Sequence, residues 1–359
     1  MERILVLNPG STSTKLAVYL GETPLFTESI PHRPEELAPF EHVHEQYDFR
    51  RELVMDCLRR HGEDLRELDA VVSRGGLLAP IQAGAYRVNE DMVRQLRDDP
   101  QNEHPSNVGP MIARWLETEY GVPAYIYDGI TVDELTPVNK LTGLPQLRRK
   151  GMGHNLNTRA AAMRWAREQG RNYGEITVIV AHMGGGITVN LHHRGRIIDS
   201  VNDEEGPFSP ERTGGLPMFD LIRMCFQPGM TYDRMMKLVK RQGGLLAHLG
   251  TVDCREVEAR IAAGDEQAKL VYEAMALNTA KHIAKLAPSA DGRIDAVLLT
   301  GGIAYSDFIT SYIRDRVSFL APVTVYPGED EMLSLALGCL RVLRGQEEAK
   351  TYVMQRINL

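Results

Sequence analysis

The chain has 359 residues, 43% apolar and 25% charged, which excludes disorder, collagen and coiled coil as whole-chain answers. At roughly 100–200 residues per domain it is long enough for two domains, whose cores need no disulfide or metal staple. Forty-one Lys and Arg against 48 Asp and Glu leave a net charge of −7, which speaks against a nucleic-acid backbone as partner. Cys57, Cys225, Cys254 and Cys339 are scattered without a C-x-x-C pair, a pattern that fits a reducing cytoplasm. The opening residues carry no signal-peptide apolar region, and no apolar run approaches the ~20 residues that span a bilayer. The expectation is a cytoplasmic protein without a membrane partner.

Residues 4–7 read as a buried strand ended by Asn8-Pro9-Gly10, residues 16–20 as a second strand, and Gly21-Glu22 as a turn into a third ending near Ile30. Strand 69–73, helix 107–120, strand 123–128 and helix 157–169 follow. The opening arrangement then returns: strand 176–181, the turn Gly184-Gly185-Gly186, strand 187–191, the turn Arg194-Gly195 and strand 196–200. Gly10 to Gly21 and Gly184 to Gly195 share one spacing, with the two copies 174 residues apart. This predicts two similar halves, each opening with a glycine-turned β-meander. Helix 266–286, strand 295–300 and a last helix over about 331–344 complete an α/β pattern. The runs Asp203-Glu204-Glu205 and Arg148-Arg149-Lys150 read as solvated surface, and His192-His193 as solvent-facing.

Three glycine turns carry the chemistry. Asn8 to Lys15 gathers a glycine, four hydroxyls and a lysine between two strands, where backbone N–H groups can grip phosphate; an ordinary Asn-Pro-Gly turn has the same look. It is no Walker A loop, because no glycine precedes Lys15. His182-Met183-Gly184-Gly185-Gly186 is a second such turn, and consecutive glycines between buried strands imply close backbone approach. Thr300-Gly301-Gly302-Ile303-Ala304 reads as a strand, a glycine pair and a helix start near Tyr305 and Ser306, a site that favours phosphate or ribose. Asp128 ends a predicted strand, as catalytic carboxylates often do. Arg74, His104, His154 and Arg212 lie in loops, and Asp253-Cys254-Arg255-Glu256 reads as a helix N-cap.

Together, N-P-G-S-T-S-T-K, H-M-G-G-G-I-T-V and the late T-G-G-I resemble the acetate kinase family, most of all its butyrate kinase branch, from Ile4 to about Leu343. The resemblance implies two duplicated actin-like ATPase (ribonuclease H-like) domains with mixed sheets and an interdomain cleft. The expected division is 1–135 plus 332–359 for the first domain and 136–331 for the nucleotide-binding second. It implies ATP-dependent, reversible phosphoryl transfer to a short-chain carboxylate, giving acyl phosphate and ADP, with Mg²⁺ required and a homodimer or higher homo-oligomer as the assembly.

Residue by residue, the resemblance assigns ATP phosphates to Asn8, Ser11, Ser13 and Lys15 and to His182, Gly184, Gly185 and Gly186. Asp253 and Arg255 match nucleotide contacts, and Gly301, Gly302, Ile303, Ala304 and Tyr305 match the adenosine segment. Arg74 and His104 match substrate residues; Arg74, Asp128, His154 and Arg212 match catalytic ones. Asn8 and Glu331 match the Mg²⁺ residues, with Glu329 and Asp330 as competing registers. Gly185 and Leu77 stand where acetate kinases carry Asn and Glu, which points towards butyrate, while Gly151-Met152-Gly153 before His154 is unusual for that branch. The competing classes are a sugar or polyol kinase and a non-catalytic ATP switch; the arginines Arg74 and Arg212 suit an anionic acceptor.

Overall fold

The apolar run Ile-Leu-Val-Leu forms β1 (Arg3–Pro9), buried from Ile4 to Pro9. It pairs antiparallel with β2 (Ser13–Leu20), which pairs with β3 (Thr23–Pro31). The computed structural model describes residues 1–355; residues 356–359, the end of the expected first domain, lie outside the described residues. The chain divides into two units, Met1–Asp133 with Asp330–Leu359, and Glu134–Glu329. Each join falls two residues before the expected boundary.

In the first unit β4 (Ala70–Arg74) runs parallel to β1 on the side away from β2, and β6 (Ala124–Tyr127) parallel to β4, with β5 (Ala85–Arg87) and the short strand Lys350–Thr351 beyond. Leu5, Leu7, Leu16 and Val18 pack with Val54 and Leu58 of helix Tyr47–Arg60 and Ile112 and Leu116 of helix Val108–Tyr120. Helix Glu331–Leu343 also packs on β1, so the sheet is covered by helices.

The second unit repeats this order: β7 (Thr177–Met183), β8 (Ile187–His193) and β9 (Arg196–Val201) form the meander, and β10 (Ala296–Gly301) and β11 (Val323–Pro327) add in parallel beside β7. The second hairpin of both meanders carries a register shift, at Val18/Tyr19 and at Leu191/His192. Side chains alternate along β7. Val178 and Val180 pack with Ala162 and Trp165 of helix Asn155–Glu168. Ile179, Ala181 and Met183 pack with Tyr272, Met275 and Ile283 of helix Glu266–Leu286. A strand covered on both faces reads as a continuous apolar run, which is why these strands are legible in the sequence.

Two surface readings are corrected, and a third residue, half-exposed, gains a partner. His192 is fully buried, with Nδ1 2.8 Å from Tyr173 Oη, because strand alternation turns it inward. Arg149 is an internal strut, donating to Asp199 at 2.9 Å and Glu205 at 2.7 Å. Asp203 pairs with Arg212. A smaller difference concerns residues 302–305, which form a single tight turn; the helix begins at Asp307, capped by Ser306. Among the described residues no helix is long and apolar enough to cross a membrane.

Candidate active site

In the first unit the ends of β1 and β4 and the start of helix Glu331–Leu343 converge. Asn8 Nδ2 donates to Glu331 Oε2 at 2.7 Å, and Arg74 Nη1 lies 2.9 Å from Glu331 Oε1. The three competing acids thereby acquire different roles. Glu331 joins Asn8 and Arg74, while Asp330 caps its own helix by accepting from Leu333 N at 2.8 Å. Glu329 belongs to the second unit, where Asn157 donates to it at 3.0 Å and His182 Nε2 approaches to 3.2 Å.

Asp128, at the end of β6, is 3% exposed and accepts from Gly84 N at 2.7 Å. Its φ of 42° is left-handed, a conformation that costs a non-glycine residue of order 1 kcal/mol or more and persists where surroundings enforce it. His104 accepts from Ser106 N at its Nδ1, 3.2 Å away, so the neutral ring carries its proton on Nε2. Burial, then the charges of Arg74 and Arg50, hold its pKa below the usual histidine range. The turn after β1 is closed by Gly10 N to Ser13 O at 2.7 Å, leaving Ser11 and Lys15 exposed. Leu77 is anchored through its N–H to Asn107 Oδ1 at 2.8 Å, and Leu78 and Ile81 pack in the core.

In the second unit the ring of His154, just before helix Asn155–Glu168, stacks on His182 with centroids 4.2 Å apart, and its Nδ1 lies 2.9 Å from Thr188 Oγ1. A Cβ at Gly153 would come within 2.7 Å of Thr188 Cγ2, so the small residue before His154 is required by that contact. Arg212 is held by Asp203 directly over Gly186, where a Cβ would meet Arg212 Nη1 at 2.5 Å. Gly301, with φ of 89°, abuts the backbone of Met183, where a Cβ would collide with the carbonyl oxygen.

A cavity of about 760 Å³ lies beside these turns, and Gly184, Gly185, Asp253, Arg255, Gly302 and Tyr305 line it. Three predicted segments, far apart in the chain, therefore meet at one space whose volume falls within the usual range for small-molecule sites, roughly 300–1,000 Å³. Ile303 also reaches the cavity, whereas Ala304 packs into the core, and His182, Gly186 and Gly301 do not line it. Asp253 caps helix Cys254–Ala262 and is paired with Arg255, whose guanidinium holds its carboxyl down at about 2.

Two polar residues at these sites escape sequence reasoning. Glu258 lines the cavity and accepts from Tyr272 Oη at 3.0 Å. Arg50 is fully buried on helix Tyr47–Arg60; Nε donates to Gln46 and Nη1 to Thr14, both at 2.9 Å, while Nη2 has no partner among the described residues. Burial pulls its pKa down to about 10, so it stays charged at neutral pH. Its spacing to the buried Val54 and Cys57, four and seven residues on, was the available signal.

The acetokinase family model matches residues 142–320. The chain is 48% identical over 353 residues to a probable butyrate kinase 2 of Caldanaerobacter subterraneus, covering 98% of this chain and all of that one. It is 46% identical over 352 residues to butyrate kinase 2 of Clostridium acetobutylicum, covering 98% and 99%. The chain belongs to the acetokinase family. Its fold matches a crystal structure of Porphyromonas gingivalis acetate kinase with a TM-score of 0.78 at 19% identity, over 96% of this chain and all of that one. The duplicated meander is therefore the actin-like arrangement of this family, as the resemblance implied.

Proposed function

We infer that this chain is an ATP-dependent short-chain carboxylate kinase that phosphorylates butyrate, the substrate named for its relatives. The observation that carries the reading is the meeting of residues 184–185, 253–255 and 302, 303 and 305 around one nucleotide-sized cavity. The second unit is then the nucleotide-binding domain, with the glycine backbone facing phosphates and Asp253, Arg255 and Tyr305 facing the nucleoside.

A carboxylic acid with a pKa of about 4–5 is ionised at pH 7, so attack on the γ-phosphorus needs no general base. A carboxylate oxygen forms the new P–O bond while the bond to the β-phosphate oxygen breaks, and ADP leaves with its electron pair. Catalysis then consists of alignment and charge neutralisation. Arg74, steadied by Glu331, Arg212, steadied by Asp203, and His154, oriented by Thr188, supply donors to the anionic groups. Asp128 serves as a positioning carboxylate fixed by Gly84. Arg50, a buried cation without an acidic partner among its hydrogen bonds, adds to the field that draws an anionic acceptor to the first unit. Glu331 and Asn8 offer the oxygen ligands a hard cation prefers, and they would hold Mg²⁺ there, which neutralises phosphate charge when bound.

An ATP-dependent acyl-hydroxamate assay across acetate, propionate, butyrate, isobutyrate, valerate and glucose tests the reading. Two extra methylenes, each contributing about 0.8 kcal/mol on burial, give butyrate roughly a tenfold advantage in kcat/KM over acetate. Equal or higher kcat/KM for acetate refutes the butyrate assignment, and turnover of glucose alone refutes the carboxylate class.

A further inference from the structure

We propose that Glu28, Cys57 and His61 form a binding site for a divalent transition-metal ion of the zinc class on the first unit. The three side chains share no residue with the groups described above. One ligand atom from each converges, all within 4.8 Å of one another. Cys57 Sγ lies 3.3 Å and His61 Nε2 2.9 Å from the same carboxylate oxygen, Glu28 Oε2.

Tetrahedral zinc, with bonds of about 2.3 Å to sulfur and about 2.0–2.2 Å to nitrogen and oxygen, sets such atoms roughly 3.4–3.6 Å apart. The two sides that meet at Glu28 Oε2 therefore reach that separation after an opening of roughly half an ångström, and the third, between sulfur and nitrogen, lies within 4.8 Å. Thiolate and carboxylate together carry two negative charges, matching a dication. The thiol proton passes to solvent as the metal–sulfur bond forms, so no oxidant or reductant is involved.

The ligands stand on regular elements and their orientation is fixed from outside. Cys57 and His61 are four residues apart, at the end of helix Tyr47–Arg60 and just beyond it, so they share one face. Glu28 comes from β3, the sheet's edge strand. The His61 ring lies flat on Phe26, with centroids 3.8 Å apart and planes 3° from parallel. Arg60 Nη2 donates to Glu28 Oε1 at 2.7 Å, while Nη1 reaches Oε2, the oxygen that Cys57 and His61 approach, only at 3.4 Å. Such outer contacts, which fix ring and carboxylate orientation, are what ligand sets require. The Cys57 side is buried, whereas the His61 and Glu28 side chains are 35% and 26% exposed, so an ion arrives from solvent on their side. Binding clips β3 to the helix that buries Arg50.

The test titrates the metal-free full-length protein with Co²⁺, without nucleotide, and reads thiolate-to-cobalt charge-transfer absorption. One equivalent bound is expected, with the band abolished in Cys57→Ser and kept in Cys225→Ser and Cys254→Ser. Glu28→Gln and His61→Ala, at solvent-accessible side chains, are expected to weaken binding by more than the roughly 10–100-fold that loss of an outer-shell partner costs, while their circular dichroism matches the parent. One equivalent of Zn²⁺ should raise the melting temperature of the parent and not of His61→Ala, a readout independent of the thiol. The proposal is overturned if no charge-transfer band forms, if the band survives Cys57→Ser, or if both Glu28→Gln and His61→Ala bind as the parent does.

Discussion

Replacing Gly186 by alanine separates a geometric demand of the second glycine turn from the stability of the fold. Gly186 is not among the residues with positive φ, so the methyl introduces no backbone strain. Its Cβ would stand 2.5 Å from Arg212 Nη1, 2.9 Å from Arg212 Cζ and 2.8 Å from Asp203 Oδ1. Ordinary contact begins at 3.4 Å, so the guanidinium must retreat by about 0.9 Å and its pairing with Asp203 must shift. A displacement of about 1 Å in a positioning group costs on the order of 10²-fold in rate. The obstruction is the far end of a flexible side chain, so the fold yields and Tm should move by no more than about 2 °C. Gly174→Ala, where nothing lies within 4 Å, is the matching control. Steady-state acyl-hydroxamate kinetics together with thermal melts decide the matter. Near-parental kcat in Gly186→Ala would refute the assignment of Arg212 to the transferring group, and a large loss of Tm would refute the claim that the clash is confined to a side chain.

Arg74→Ala and Arg212→Ala are each expected to lower kcat by on the order of 10²–10³, as removal of donors to developing charge does, and stopped assays at saturating butyrate measure it. Saturating Mg-ATP should raise Tm in a Mg²⁺-dependent manner, since a ligand of the native state adds stability; an unmoved melt counts against the nucleotide cavity. His192 is held neutral in the fold, at about 3 against an ordinary value of 6.5, so its contribution is complete above pH 6.5 and is lost as pH falls towards 3. The slope reaches about 1.4 kcal/mol per pH unit, and His192→Phe should flatten the acid limb of denaturant-derived stability below pH 6.5.

The sequence by itself determined the elements whose signals are local. Strands covered on both faces need unbroken apolar runs, and the turns joining them need glycine, so both meanders and their 174-residue offset stand in the sequence, and the resemblance built on those turns identified the family. Helix Glu266–Leu286 was legible to its ends because its apolar spacing and its Asp265 cap are sequence features. Only the tertiary structure decided the pairings between distant residues. Glu329, Asp330 and Glu331 are adjacent acids with equal claims in one dimension. The fold sends the first to Asn157 and His182, makes the second a helix cap, and gives the third to Asn8 and Arg74. Arg149 and His192 looked like surface for the same reason: a charged or polar side chain can be buried once partners such as Asp199 and Tyr173 satisfy it, and those partners lie well apart in the chain. Hydrophobic burial follows a local period, whereas satisfaction of a buried polar group is a property of three-dimensional neighbours, and local pattern does not encode it.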